Sequence, residues 1–82
     1  MPTVVLTGDA ARALAGGASE LVVAATSFRR LVSELDVRFP GLGRLVDEGM
    51  AVAIDGVIFQ DAYAVALAEN SEIVLIPKIA GG

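Results

Sequence analysis

The chain opens on a β-branched run, Thr3-Val4-Val5-Leu6-Thr7, which Gly8-Asp9 breaks. Such a run reads as a strand. Asp9 can cap a single helical turn over Ala10 to Leu14, and Gly16-Gly17 closes that excursion. Alternation returns from Ser19 to Ala24, with Leu21 and Val23 on one face and Glu20 and Val22 on the other. Two strands separated by a glycine pair predict an antiparallel hairpin with a long loop. The period then lengthens. Phe28, Leu31, Val32, Leu35 and Phe39 form one apolar stripe at helical spacing, with Thr26 or Ser27 available as a cap. Arg29, Arg30, Ser33, Glu34 and Asp36 fall off the stripe and should face water. Pro40 cannot sit inside a helix, so this one ends near Arg38.

Gly41-Leu42-Gly43 reads as a connector, and Leu42, Leu45 and Val46 as one more helical turn over the core. Past Gly49 the chain returns to strand. Ala51 to Ile54 and Val57 to Phe59 flank Asp55-Gly56, a strong hairpin signal because a type I′ turn needs positive φ at both central residues. Tyr63 to Leu67 fits a helical turn or a loop. Glu69 to Glu72 is a polar turn in which Asn70 can take the left-handed region. Ile73-Val74-Leu75-Ile76 has the composition of a strand buried on both faces, and its natural place is central, beside the first strand. Pro77 ends it and blocks further ladder pairing. The expected fold is therefore α+β: a mixed sheet packed on one main helix, the β-grasp (ubiquitin-like) plan. Residues 1–77 form the domain and residues 78–82 a flexible tail.

Composition removes most chemistries. A chain of 82 residues holds one core. It has no Cys and no His, which removes zinc fingers, thiol nucleophiles, Ser-His triads and most transition-metal sites. The net charge of −4 argues against a nucleic-acid partner. No apolar run approaches the ~20 residues that span a bilayer, so no membrane role is expected. Met1-Pro2-Thr3 lacks a basic leader start, and a cytoplasmic location is expected. Asp47-Glu48 reads as a solvated pair rather than a catalytic dyad, and Arg29-Arg30 as solvated. Gly41-x-Gly43 lacks the preceding strand and third glycine of a phosphate loop. The sequence supplies no catalytic residue and no metal site of its own.

What remains is the end, Gly81-Gly82. At ordinary glycine usage a terminal pair arises by chance about 0.5% of the time. Five residues follow Pro77 and can reach about 16 Å beyond the sheet. Without a Cβ, Gly81 and Gly82 can thread a channel too narrow for other residues, with Ala80 behind them. The reactive group is then the α-carboxylate of Gly82, which becomes an electrophile once adenylated and can accept sulfur as a thiocarboxylate. The domain acts as a handle for a carried group.

The sequence resembles the small sulfur-carrier proteins of the ubiquitin-like β-grasp group: the molybdopterin synthase small subunit, with the thiamin sulfur carrier as a cousin. Ala11 to Gly16 is similar to that family's loop after the first strand, and Thr26 with Phe28, Leu31 and Val32 to its helix start. Val52-Ala53-Ile54-Asp55-Gly56 is similar to its hairpin, Leu67 to Ile76 to its last turn and strand, and Ile76-Pro77-Lys78-Ile79-Ala80-Gly81-Gly82 to its tail. Asn70-Ser71 stands where the family has Gly-Asp, and Lys78, the chain's one lysine, replaces a proline. The resemblance implies a non-enzymatic carrier that binds no cofactor. A ubiquitin-activating-type adenylating enzyme would use ATP on Gly82, a sulfurtransferase would supply sulfur, and a synthase large subunit would receive the tail. It places Ile58 and Ile76 on the partner-facing sheet, with Lys78 as a charge beside the tail. The implied pathway is molybdenum-cofactor synthesis. The alternatives are thiamin, cysteine or another sulfur metabolite, a ubiquitin-like modifier linked to target lysines, or a plain interaction module.

Overall fold

The computed structural model describes residues 1–78. In chain order it holds β1 (Thr3–Leu6), α1 (Asp9–Leu14), β2 (Glu20–Val22), α2 (Phe28–Arg38), α3 (Leu42–Gly49), β3 (Met50–Ile54), β4 (Val57–Phe59) and β5 (Glu72–Pro77). The five strands form one mixed sheet in the order β2-β1-β5-β3-β4. β5 runs parallel to β1 and antiparallel to β3, so the most apolar strand lies at the centre, as expected. It is not buried on both faces: Ile73 and Leu75 are buried under the helices, while Val74 is half-buried and Ile76 exposed on the other face, which no helix covers. The α+β sheet-on-helix architecture is the one expected.

Alternation along the strands sorts side chains between a helix-covered face and an open face. Val4, Leu6, Leu21, Val23, Ile73 and Leu75 point inward and are buried. They meet Phe28, Leu31 and Leu35 of the α2 stripe, and Leu42 and Val46 of α3. Ser27 caps α2 by accepting a hydrogen bond from the Arg30 N–H at 3.2 Å. Asp55 (φ 50°) and Gly56 (φ 84°) make the two-residue turn between β3 and β4. Asp55 also fastens that turn to the start of β5. Its carboxylate accepts from the Glu72 N–H and from the Oγ of buried Ser71, both at 2.9 Å.

Several local expectations are corrected. The cap of α1 is Gly8, not Asp9, and the helix runs six residues rather than one turn. Gly8 makes the sharp turn out of β1 (φ 89°, ψ 146°), which leaves Asp9 in the first turn, where its charge suits the helix dipole. The segment after Pro40 is a full helix of eight residues, and Gly43 lies inside it rather than in a connector. Asp36 at the end of α2 explains this, because its Oδ1 accepts from the N–H groups of Gly41 (3.2 Å) and Gly43 (3.1 Å). A Cβ at Gly43 would stand 2.6 Å from the Val32 carbonyl oxygen, so the glycine is what lets α3 close on α2. Asp55 is the only non-glycine residue at positive φ among the described residues, so Asn70 does not take the left-handed region. Tyr63 to Leu67 is a loop laid along the start of α2. The Phe28 N–H donates to the Val65 carbonyl and the Leu67 N–H to the Thr26 carbonyl.

Candidate functional site

The last strand is held on the β1 side as far as Leu75 and on the β3 side to its end. On the β1 side the Thr7 N–H (3.1 Å) and the Thr7 Oγ1 (2.8 Å) both donate to the Leu75 carbonyl. On the β3 side Pro77 stands opposite Met50, and the Lys78 N–H donates to the Gly49 carbonyl at 2.9 Å. Pro77 therefore does not stop the pairing. In this register its nitrogen faces the β1 side, where that strand has already ended at Leu6, so the missing N–H costs no ladder bond to β3. The Pro77 ring lies against Gly8, where an added Cβ would come within 2.5 Å of Pro77 Cγ. Gly8 is thus required twice, for its positive φ and for the space the proline takes. The position and direction of the chain are fixed through Lys78. Ala80, Gly81 and Gly82, the expected threading and attachment residues, lie outside the described residues.

The face of the sheet opposite the helices is open. In register, Val5, Val74, Ala53 and Ile58 form a row across four strands, and Ile76 pairs with Ala51 in the next row. Ile58 is 71% exposed and Ile76 40%. The structure thus brings both expected interface isoleucines onto one surface, separated only by β3, and Lys78 follows two residues beyond Ile76. Exposed apolar side chains grouped on one sheet face are the kind of surface that protein interfaces use.

A cleft of about 450 Å³ opens beside the tail root. Its cause is a length mismatch. β4 pairs only with Val52 to Ile54, while β3 begins at Met50, so the first part of β3 has no neighbour on that side. The chain leaves β4 through Gln60 and Asp61 and lays Tyr63 on α2. Lys78, Ile58, Gln60, Phe59 and Tyr63 line the opening, with Phe28 and Val46. The Tyr63 hydroxyl donates to the Asp47 carboxylate. Its ring stands 6.0 Å from that of Phe28, and the Arg29 guanidinium lies over it at 5.2 Å. The hydrogen bond to Asp47 raises the Tyr63 phenol above its ordinary value, with burial and the Asp47 charge acting the same way.

Asp47 and Glu48 are both exposed, as expected of a solvated pair, but their partners differ. Asp47 accepts from Tyr63, while Glu48 accepts from Arg44 Nε at 3.0 Å on the exposed surface of α3. Arg29 also differs from its neighbour Arg30 by stacking on the tyrosine. The tyrosine contacts join residues 16 and 34 positions apart, which no local pattern reveals. Among the described residues no cluster of three or more carboxylates or other metal-binding side chains exists. No helix there is long and apolar enough to cross a membrane. The arrangement offers a tail root held through Lys78, an open face carrying apolar side chains and a side cleft.

Comparison with known proteins agrees with this geometry. A family model, described as the ThiS family, matches residues 5–82. No curated protein sequence matches the chain. Solved structures that resemble it include CysO of Mycobacterium tuberculosis, described as an antigen. That pair has a TM-score of 0.83 at 14% identity, over 96% of this chain and all of the other. The BexX/CysO complex of Amycolatopsis orientalis gives 0.81 at 19% identity over the whole of both chains. The small archaeal modifier protein 1 of Methanosarcina acetivorans gives 0.80 at 21% identity, over 99% of this chain and 95% of the other. At these identities the likeness is one of fold.

Proposed function

The chain belongs to the ThiS family, and from that premise we propose that it is a sulfur carrier whose Gly82 carboxyl is adenylated, converted to a thiocarboxylate and spent as a sulfur donor. The observation that carries this reading is the tail root. A central strand, bonded on both sides through Leu75 and Lys78, hands the chain to Ile79-Ala80-Gly81-Gly82 at a fixed point beside the open apolar face. Such a root delivers a slim chain end into a partner while the partner grips the sheet.

In this reading the chain performs no catalysis. An adenylating enzyme of the ubiquitin-activating type uses ATP to join AMP to Gly82, and a sulfurtransferase supplies the sulfur that displaces it. Ile58, Ile76 and Lys78 face the partner, and Ala80 and Gly81 occupy its channel. For the acceptor, the hairpin Val52 to Gly56 and the tail from Ile76 support a molybdopterin-synthase-like complex, with this chain as the small subunit. The test is co-expression with the host's activating enzyme and a sulfur source, read by intact mass. One sulfur in place of one oxygen, lost when Gly82 is deleted, is the expected result. Supplying the purified thiocarboxylate to a synthase large subunit with the pterin precursor then tests the pathway.

A second reading, attachment to lysines of other proteins, draws on the fold shared with a protein named as a modifier. It uses the same activated Gly82 and predicts lysine-linked adducts in cell extract.

A further inference from the structure

An acylating chain end sets a problem for the surface that carries it, since any amine nearby is a competing nucleophile. This chain meets the problem in its choice of cations. Of six basic residues five are arginines, Arg12, Arg29, Arg30, Arg38 and Arg44, and one is a lysine, Lys78. A guanidinium stays protonated at any ordinary pH and does not attack an acyl group, whereas a lysine amine does. The body of the domain thus presents no lysine nucleophile, and the single one stands at the root of the tail, exposed, on the wall of the 450 Å³ cleft.

That cleft has the form of a seat for a tail. It opens at the unpaired start of β3, and Ile58 and Phe59 give it an apolar wall for the Ile79 and Ala80 side chains, opposite the polar Asp47, Gln60 and Asp61. Lys78 stands at its rim with its backbone fixed to Gly49, so its side chain swings from an anchored Cα. A four-residue tail reaches up to about 13 Å when extended.

We propose that Lys78 is an acyl-acceptor site: its Nζ takes the activated Gly82 carbonyl of a second copy, whose tail lies in the cleft, and an isopeptide bond joins the two copies. The inference rests on the reading that Gly82 is activated. From the acyl adenylate the amine attacks the carbonyl carbon, a C–N bond forms, the C–O bond to the phosphate breaks and AMP leaves. The ammonium gives up two protons in all, both to water, and no oxidation or reduction occurs. The joined acceptor carries a folded domain at the root of its own tail and can no longer enter a narrow channel. The linkage therefore withdraws carrier from the sulfur cycle.

The test supplies the activation chemically, so that it stands apart from the carrier reading. The chain is prepared as a Gly82 mercaptoethanesulfonate thioester by intein cleavage and mixed with unmodified chain at mildly alkaline pH. Aminolysis then breaks the C–S bond and releases the thiol. The expected product has the mass of two chains less one water. Trypsin should leave an Ile-Ala-Gly-Gly remnant on Lys78. Lys78→Arg in the acceptor should remove the product, and restoring one lysine elsewhere with Arg30→Lys in that background should return it at least tenfold more slowly. Equal rates at the two positions would overturn the proposal, as would a product that survives Lys78→Arg. So would a single-chain product one water lighter than the free acid, which would mean that the ring closes within one copy rather than that water has hydrolysed the thioester. Failure here leaves enzymatic adenylation of Gly82 untouched. Failure of adenylation in the co-expression test leaves the relative reactivity of Lys78 as measured.

Discussion

Gly8→Ala probes the tail root most sharply. Alanine at φ 89°, ψ 146° enters a backbone region held almost only by glycine, at a cost of about 1–3 kcal/mol. The new methyl would also come within 2.5 Å of Pro77 Cγ, against ordinary carbon contacts of roughly 3.5–4.0 Å. The proline ring must move by roughly 1 Å, a distortion of the overpacking kind that adds about 1–3 kcal/mol. Gly17→Ala is the internal control. It shares the positive φ (92°) but has nothing within 4 Å of the added methyl, so it bears a backbone cost of about 1–2 kcal/mol alone. Urea denaturation followed by circular dichroism should show Gly8→Ala as the more destabilising by about 1–3 kcal/mol. In a double-mutant cycle, Pro77→Ala should recover most of that difference. Equal losses for the two alanines, or a Gly8→Ala cost that Pro77→Ala leaves unchanged, would refute the claim that this contact sets the tail root.

With one tyrosine and no tryptophan, the phenolate absorbance of Tyr63 can be titrated alone; its midpoint should lie above 10 and fall in Asp47→Asn. Because the folded value is raised, the stability Tyr63 contributes is full below pH 10 and is lost as pH rises through the folded midpoint. Asp55→Ala removes the acceptor for Ser71 and Glu72 and should cost about 1–3 kcal/mol in chemical denaturation, since it leaves the buried Ser71 hydroxyl without its acceptor. At the outer edge of β2, Arg38 donates to the Val22 carbonyl (2.8 Å) and Glu34 accepts from the Ala24 N–H just beyond the strand (3.0 Å), which takes up backbone groups that another strand would need. The Glu34→Ala/Arg38→Ala double variant should self-associate at concentrations where the parent does not, by light scattering. Ile58→Asp should leave stability within about 0.5 kcal/mol, as an exposed position, and weaken capture by the activating enzyme in a pull-down.

The parts of the molecule that local chemistry decides were legible in the sequence. The α2 stripe, a cap at Thr26 or Ser27, the Asp55-Gly56 turn and the central place of β5 all follow from spacing and residue type, whereas the open-face isoleucines come only from the family resemblance. What escaped depends on contacts between distant segments. Asp36 caps a helix that begins after the next turn, so α3 read as a single turn. Pro77 keeps its place because β1 has already ended there, a fact of register rather than composition. The Tyr63 contacts with Asp47, Phe28 and Arg29 join three segments, so no local pattern announced them. The cleft beside Lys78 arises from β4 being shorter than β3, which no residue in either strand announces.

The central claim is that the Gly82 carboxyl is the working group. The most direct measurement is top-down fragmentation of the chain isolated from cells in which its activating and sulfur-supplying partners are present. The account predicts a fraction of chains with one sulfur in place of one oxygen, localised by fragment masses to Gly82 and absent when the activating enzyme is deleted. Sulfur found at another position, or a chain that supports its pathway fully with Gly82 removed, would contradict it.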